Sequence, residues 1–292
     1  MPKVAVVTDS TASLRAEVLE EHGIIVVPLQ VVIGDRSYDD GVDPEASPAG
    51  VAEAMRTSVS VSTSRPTPTR MLAAYREAAA LGAEEIVSVH LSGQVSSTWE
   101  SAVMAARGSP VPVHVVDSRL VGPGTGYAAL TAAEVIAADG TAEEAAEAAQ
   151  ARAGAATALF YVDTLDHLRR GGRMGAAAAL LGTALAVKPI LEVRDGRVVP
   201  REKVRTSARA LTKLEELAVE AAGDEPVDLA VCHLASPTPA AALAVSLAER
   251  LRDNLQGREV DVTEIGAVLG AHVGPGLIGV TVAPLLHAPP RG

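Results

Sequence analysis

The sequence predicts an α/β protein: an N-terminal, doubly wound, mostly parallel sheet joined to a C-terminal α+β part with a mixed or antiparallel sheet. Three observations predict it. The 292 residues exceed what one hydrophobic core usually organises, roughly 100–150 residues. The first half alternates short β-branched runs with Ala/Glu-rich stretches of helical spacing, the pattern of parallel strands with crossover helices. Past residue 155 the pattern changes, and Asp195-Gly196 between two apolar runs marks a hairpin and therefore antiparallel strands. The boundary is expected near Gly154, dividing 1–155 from 156–292.

Residues 3–7 form the first expected strand. Residues 13–22 carry Leu14 and Val18 on one helical face with Glu17, Glu20 and Glu21 outward, and Gly23 ends that helix. Residues 24–32 read as a second strand and 34–48 as a polar loop, followed by a helix over 48–57 and an extended stretch over 59–64. Pro68 suits the first turn of a helix running to Leu81. Strands over 85–90 and 111–116 flank a helix over 96–106. Helices over 126–138 and 142–153 follow, the latter opening on the Thr141/Glu144 capping box. In the second half, strands are expected over 156–162, 188–193, 197–204, 227–233, 259–265 and 277–282, with helices over 206–222 and 237–254. The Ala-rich tract 176–179 is a further helix candidate.

Composition narrows the function. Hydrophobic residues make up 48% and charged residues 21%, the balance of a chain that folds. Aromatics are only 2% and the net charge is −11, which removes both the stacking platforms and the positive field that nucleic-acid binding needs. The one cysteine, Cys232, stands in an apolar run and reads as a small buried hydrophobe, so no intrachain disulfide forms and a cytoplasmic location is expected. The N-terminal apolar run is too short for a signal peptide or a membrane span.

Small hydroxyl residues collect at expected strand ends: Thr8-Asp9-Ser10-Thr11, Ser62-Thr63-Ser64, Ser92 with Ser96-Ser97-Thr98, and Asp117-Ser118. Ligands bind at the carboxyl ends of strands in open α/β sheets, so the recurrence points to one shared cleft, although each cluster alone is ordinary capping chemistry. Ser96-Ser97-Thr98 opens a helix whose free N–H groups favour an anion. Hydroxyls and amides with no cationic motif beside them suit a carboxylate held by a few hydrogen bonds.

Other motifs are weaker. The segment from Gly122 to Gly126 has the wrong spacing for a dinucleotide fingerprint, and the segment from Gly171 to Gly175 lacks the Lys-Ser/Thr of a phosphate loop. No G-x-S-x-G, H-E-x-x-H or paired-cysteine motif is present, and no metal is expected. His272 is the foremost histidine, in a Gly-rich segment between strands, with a turn histidine as the plain alternative; His90 is second. Between residues 165 and 205 nine Lys or Arg stand against four Asp or Glu, a local basic face.

Four segments taken together resemble the DegV family, whose members include the fatty-acid-binding subunits of bacterial fatty acid kinase. They are Val7-Thr-Asp-Ser-Thr11, Ser62-Thr-Ser-Arg-Pro66, Leu168-Arg-Arg-Gly-Gly-Arg173 and His272-Val-Gly-Pro-Gly276. The family's helix-opening segment resembles Leu-Ser-Gly-Thr-Tyr, here Val95-Ser-Ser-Thr-Trp99, with Ser97 in place of the glycine. The resemblance implies that Thr63 and Ser96 hold a fatty-acid carboxylate, that His272 is a third polar contact, and that Ser97, Thr98 and Ser64 are possible further contacts. It implies a long-chain fatty acid such as palmitate as ligand, its acyl chain buried between or beneath the two parts, and no cofactor beyond that lipid. It implies a partner, the catalytic subunit of a fatty acid kinase, which phosphorylates the presented carboxyl group. Arg170 and Arg173 match the family's basic segment, and docking of the partner is expected at Arg170, Arg173 and Arg201. The protein itself is then not an enzyme, and its membrane contact is only transient. A Ser/His acyl-ester hydrolase with Ser96 as nucleophile and His272 as base is the alternative reading, and a sugar-phosphate or nucleotide binder using the Arg-rich segment is a third.

Overall fold

The computed structural model describes residues 3–176 and 188–286. The first half runs β1 (Val4–Asp9), α1 (Ala16–His22), β2 (Ile25–Val27), β3 (Gln30–Ile33), β4 (Arg36–Asp39), α2 (Pro48–Arg56), β5 (Val61–Ser64), α3 (Pro68–Ala80), β6 (Glu85–His90), α4 (Thr98–Ala106), β7 (Val113–Asp117), α5 (Pro123–Ala137) and α6 (Ala142–Ala155). The second half runs β8 (Thr157–Tyr161), α7 (Asp166–Arg170), β9 (Lys188–Arg194), β10 (Arg197–Val204), α8 (Ser207–Ala222), β11 (Val227–His233), α9 (Pro237–Arg250), α10 (Arg252–Leu255), β12 (Asp261–Glu264), α11 (Ala267–Val273) and β13 (Ile278–Pro284).

The fold class is the expected one. A four-stranded sheet, β2-β1-β6-β7, is parallel throughout, and a six-stranded sheet, β10-β9-β8-β13-β11-β12, is mixed. Strand alternation sends Val7 and Ile86 to one face of the parallel sheet, under Met71 and Tyr75 of α3 and Ala102 of α4. Val6, Val87 and Val89 face the other way, onto the alanines of α5 and α6. Those two helices are sandwiched, because Phe160, Leu191 and Cys232 of the mixed sheet join the same core from beyond them. The far face of the mixed sheet is covered by α8 and α9. A helix trapped between two sheets has little room for large side chains, and of the nine buried residues of α5 six are Ala or Gly.

Three expectations are corrected. Residues 24–32 do not form one strand: the ladder breaks at Pro28 and Leu29, and β3 leaves for a separate three-stranded sheet, β4-β3-β5. Part of the expected loop 34–48 is β4, whose exposed or half-exposed residues give no hydrophobic alternation to read. The Gly-rich segment around His272 is not a turn between strands, since His272 lies on α11. Helix α11 packs its Ala267, Val268 and Ala271 against Leu29 just before β3, Val31 of the small sheet and Val51 of α2. Of the helix candidate at 176–179, all but Ala176 falls outside the described residues. No helix among the described residues is long and apolar enough to cross a membrane.

Candidate functional site

A cavity of about 340 Å³ opens where the parallel sheet, the small sheet and α11 meet. Its walls are mainly apolar: Leu29, Leu91, Val95, Val121, Phe160, Leu168, Val198, Val268, Leu269 and Val273. Thr63, Ser64, Arg65, Ser96, Ser97, Arg173 and His272 supply its polar lining. A second cleft of about 540 Å³ shares Thr63, Arg173 and His272 with the first and adds Ser58, Ser60, Ser62, His167 and Arg170. Those three shared residues form a partition, apolar on one side and polar on the other.

Thr63 projects from β5, and its Oγ1 lies 2.8 Å from Nε2 of His272. Nδ1 of His272 is buried without a partner. With the proton on Nε2, no buried N–H goes unpaired: Nε2–H donates to Thr63, and the Thr63 hydroxyl hydrogen is free for another acceptor. Burial, and then the charge of Arg173, hold the imidazole down at about 4, so it is neutral near pH 7.

Ser96 lies in the loop between β6 and α4. Its Oγ is 2.9 Å from the Thr98 hydroxyl and accepts from the Thr98 amide at 3.3 Å. Thr98 is fully buried and spends its hydroxyl on Ser96, behind the cavity wall. The N-cap of α4 is Ser97, whose side chain makes no capping bond. Thr63 and Ser96 are thus built alike, each backed by a protein donor, the His272 Nε2–H or the Thr98 amide; with the Thr98 hydroxyl also donating, the Ser96 hydroxyl hydrogen is left for an acceptor in front.

The basic residues are not gathered as the sequence implied. Arg65 lines the cavity, donates weakly to the Ser97 carbonyl at 3.4 Å and pairs with Glu100 at 3.6 Å. Arg173 turns inward, its Nε on the carbonyl of Val95 at 3.0 Å and Nη1 on that of Gly171 at 2.6 Å. Both bring positive charge to the hydroxyls, contrary to the expectation of a site without cations. Arg65 stands two residues from Thr63, so the signal was present in the sequence but unused. Arg170 lies at the second cleft beside His167, its Nη2 3.1 Å from Nδ1. Arg201 stands apart, paired with Glu220 at 3.5 Å and Glu192 at 4.0 Å. Ser64 is at the rim, its hydroxyl weakly on the Arg65 carbonyl at 3.4 Å.

Two histidine-glycine pairs fasten α7 to α11. A Cβ on Gly171 would collide with Nδ1 of His272, and one on Gly274 would collide with the ring of His167. The two Gly-rich motifs of the sequence therefore act as one unit.

The shared cleft of four hydroxyl clusters is only half realised. Asp9 accepts from the amide and hydroxyl of Thr11 and lies 2.9 Å from His90 Nδ1, while His90 Nε2 meets Ser88, which meets Tyr75, all fully buried and away from the cavity. Ser118 bonds Thr125. These clusters are spent on the fold. Cys232 is buried on β11, its thiol pushed up to about 12 by burial. No group of His, Cys, Asp or Glu among the described residues is arranged to hold a metal ion. Ser96 and His272, nucleophile and base of the hydrolase reading, are not bonded to each other; each is committed to a threonine.

Comparison with known proteins agrees with this architecture. A family model described as "Uncharacterised protein, DegV family" matches residues 3–285. A DegV domain-containing protein of Streptomyces coelicolor is 53% identical over 281 residues, covering 96% of this chain and 98% of that protein. The solved structure of DegV from Bacillus subtilis, described as a fatty acid binding protein, superposes with a TM-score of 0.87 at 32% identity, over 98% of this chain and 100% of the other. A DegV family protein from Thermus thermophilus, described by its fatty acid binding, gives a TM-score of 0.87 at 30% identity, over 97% of this chain and 100% of the other.

Proposed function

The chain belongs to the DegV family, and on that premise we propose that it binds a long-chain fatty acid such as palmitate without transforming it. The observation that carries the reading is the paired hydroxyls of Thr63 and Ser96 at the polar end of an otherwise apolar cavity, each with a donor behind it. Two hydroxyl hydrogens suit the two oxygens of one carboxylate. A desolvated carboxylate needs several such bonds, and charge-assisted hydrogen bonds are the strong ones. His272 acts through Thr63 and, being neutral, puts no charge of its own behind it. Arg65 and Arg173 supply the positive field that keeps the ligand ionised. The apolar walls take the tail, whose burial contributes ~0.8 kcal/mol per CH₂ and sets the affinity while the hydroxyls set the orientation.

The ligand's carboxyl group then stands at the partition, within reach of the polar cleft. A kinase partner engaging that cleft could deliver a phosphoryl group: a carboxylate oxygen attacks phosphorus and the nucleoside diphosphate leaves. Arg170, beside that cleft, is the docking residue this geometry favours, whereas Arg201 already has acidic partners on the α8 side.

Denaturing mass spectrometry of the purified protein tests the binding. A co-purifying long-chain acid is expected; no lipid after growth in a lipid-replete host, and none bound on addition, would sink the reading. For the partner, Arg170→Glu should abolish phosphorylation of the bound lipid and leave its binding intact. Unchanged phosphorylation would remove Arg170 from the docking surface.

A further inference from the structure

The loop that presents Ser96 is fastened from the other half of the chain, and Ser92 is the fastening point. Ser92 is fully buried and every polar atom it carries is committed. Its amide donates to the Leu120 carbonyl at 2.8 Å, and its own carbonyl accepts from the amides of Val95 and Ser96 at 3.2 and 3.1 Å. Its hydroxyl accepts from the Gln94 amide at 3.1 Å and donates to the carbonyl of Gly196 at 2.8 Å.

Gly196 belongs to the turn between β9 and β10. Around it, Arg197 donates through Nε and Nη2 to the Gln94 side-chain oxygen at 3.0 and 2.7 Å, and Arg173 holds the Val95 carbonyl. The Asp195-Gly196 pair, read in the sequence only as hairpin chemistry, is also a docking surface. Both residues have positive φ, 50° and 78°, and a Cβ on Gly196 would overlap the Ser92 hydroxyl and stand 3.0 Å from Gln94 Cγ. Glycine is needed there for the turn and for the close approach.

We infer that Ser92 is a positioning residue for Ser96: the clamp between the β9–β10 turn and the β6–α4 loop aims the Ser96 hydroxyl, so carboxylate recognition depends on the hairpin being seated. The segment between β6 and α4 has no regular hydrogen-bonding ladder of its own: its amides donate to Ser92, to the Leu120 carbonyl and to Asp117, Arg173 holds the Val95 carbonyl, and Gly196 anchors the Ser92 hydroxyl. Releasing the hairpin frees the loop to rotate its hydroxyl away from the ligand while leaving the apolar walls in place. The inference rests on the reading of Ser96 as a carboxylate donor.

The test compares palmitate with hexadecanol, which has the same tail and no carboxylate, by displacement of a fluorescent lipid from the full chain. Ser92→Ala should weaken palmitate about tenfold or more, the scale of a buried hydrogen bond broken with one partner left unpaired, and leave hexadecanol within about twofold. Gly196→Ala should do the same. Arg197→Ala, an exposed change that folds whatever the core tolerates, should give a smaller loss of the same selectivity. Equal weakening of both ligands, or no change in either, across these variants overturns the inference. Ser96→Ala separates the two claims. If it is selective for palmitate and the Ser92, Gly196 and Arg197 variants are not, the positioning role alone falls; if Ser96→Ala is itself without effect, the head-group reading falls and takes this one with it.

Discussion

At the scale of single residues, the partition between the two clefts is governed by how tightly glycine backbone abuts two histidine rings. Gly171 has an ordinary helical φ, so Gly171→Ala meets no backbone strain, only the collision with His272. Overpacking of this kind costs about 1–3 kcal/mol, and here it also pushes the imidazole off Thr63. Gly172 is the control: its φ is 70° and a Cβ there meets nothing, so Gly172→Ala carries only left-handed strain of about 1–2 kcal/mol. Thermal melts and lipid titration together should show both variants destabilised and only Gly171→Ala impaired in binding; equal binding by the two would separate His272 from the site. The pH response follows from His272 as well. Its folded pKa lies below its unfolded value, so the fold favours the neutral ring, and that contribution is whole above about 6.5 and is lost as pH falls toward about 4. The stability difference between wild type and His272→Gln should therefore shrink over that window in lipid-free protein. A difference that ignores pH would show that the ring is not buried neutral.

At the scale of elements, α5 and α11 show what a sequence discloses and what it hides. Helix α5 is an Ala/Gly run whose pattern is legible, but the demand on it is not. Gly126 stands where a Cβ would lie 2.5 Å from the Ala12 carbonyl, because the helix is pressed on the turn after β1. Helix propensity alone favours Gly126→Ala by about 1 kcal/mol, yet the contact reverses the sign, and net destabilisation in chemical denaturation is the expected outcome. A stabilised variant would mean that α5 has room to move. Helix α11 escaped sequence reading for the opposite reason. Its N-terminus is capped from 227 positions away, where Asp40 accepts from the Ala267 amide at 2.8 Å while also taking the Ser10 hydroxyl at 2.9 Å. Burial raises the Asp40 pKa, and a Cβ on Gly266 would stand 2.9 Å from its carboxylate. No local residue announces such a cap, and glycines at 266, 270 and 274 read as a loop. The parallel strands, the Thr141 capping box and the Asp195-Gly196 hairpin were legible because their causes are local. The placements of Arg65, Arg173 and Ser92 were not, since each is decided by a partner distant in sequence.

At the scale of the whole molecule, the cavity is a product of layering. Sandwiching α5 and α6 between two sheets brings the carboxyl ends of the parallel strands against the inner face of the mixed sheet, and the small sheet with α11 closes the remaining side. Ligand binding at that end of a parallel sheet is where such folds place it. Thr63 comes from the small sheet, Ser96 from a parallel-sheet loop and His272 from the second half of the chain, so the site exists only when all three parts are assembled. Carbon-13 NMR of carboxyl-labelled palmitate added to delipidated protein tests this most directly. One saturable bound carboxyl resonance at a one-to-one ratio is expected, displaced in both Thr63→Val and Ser96→Ala. No bound resonance, or one that neither substitution moves, would contradict it.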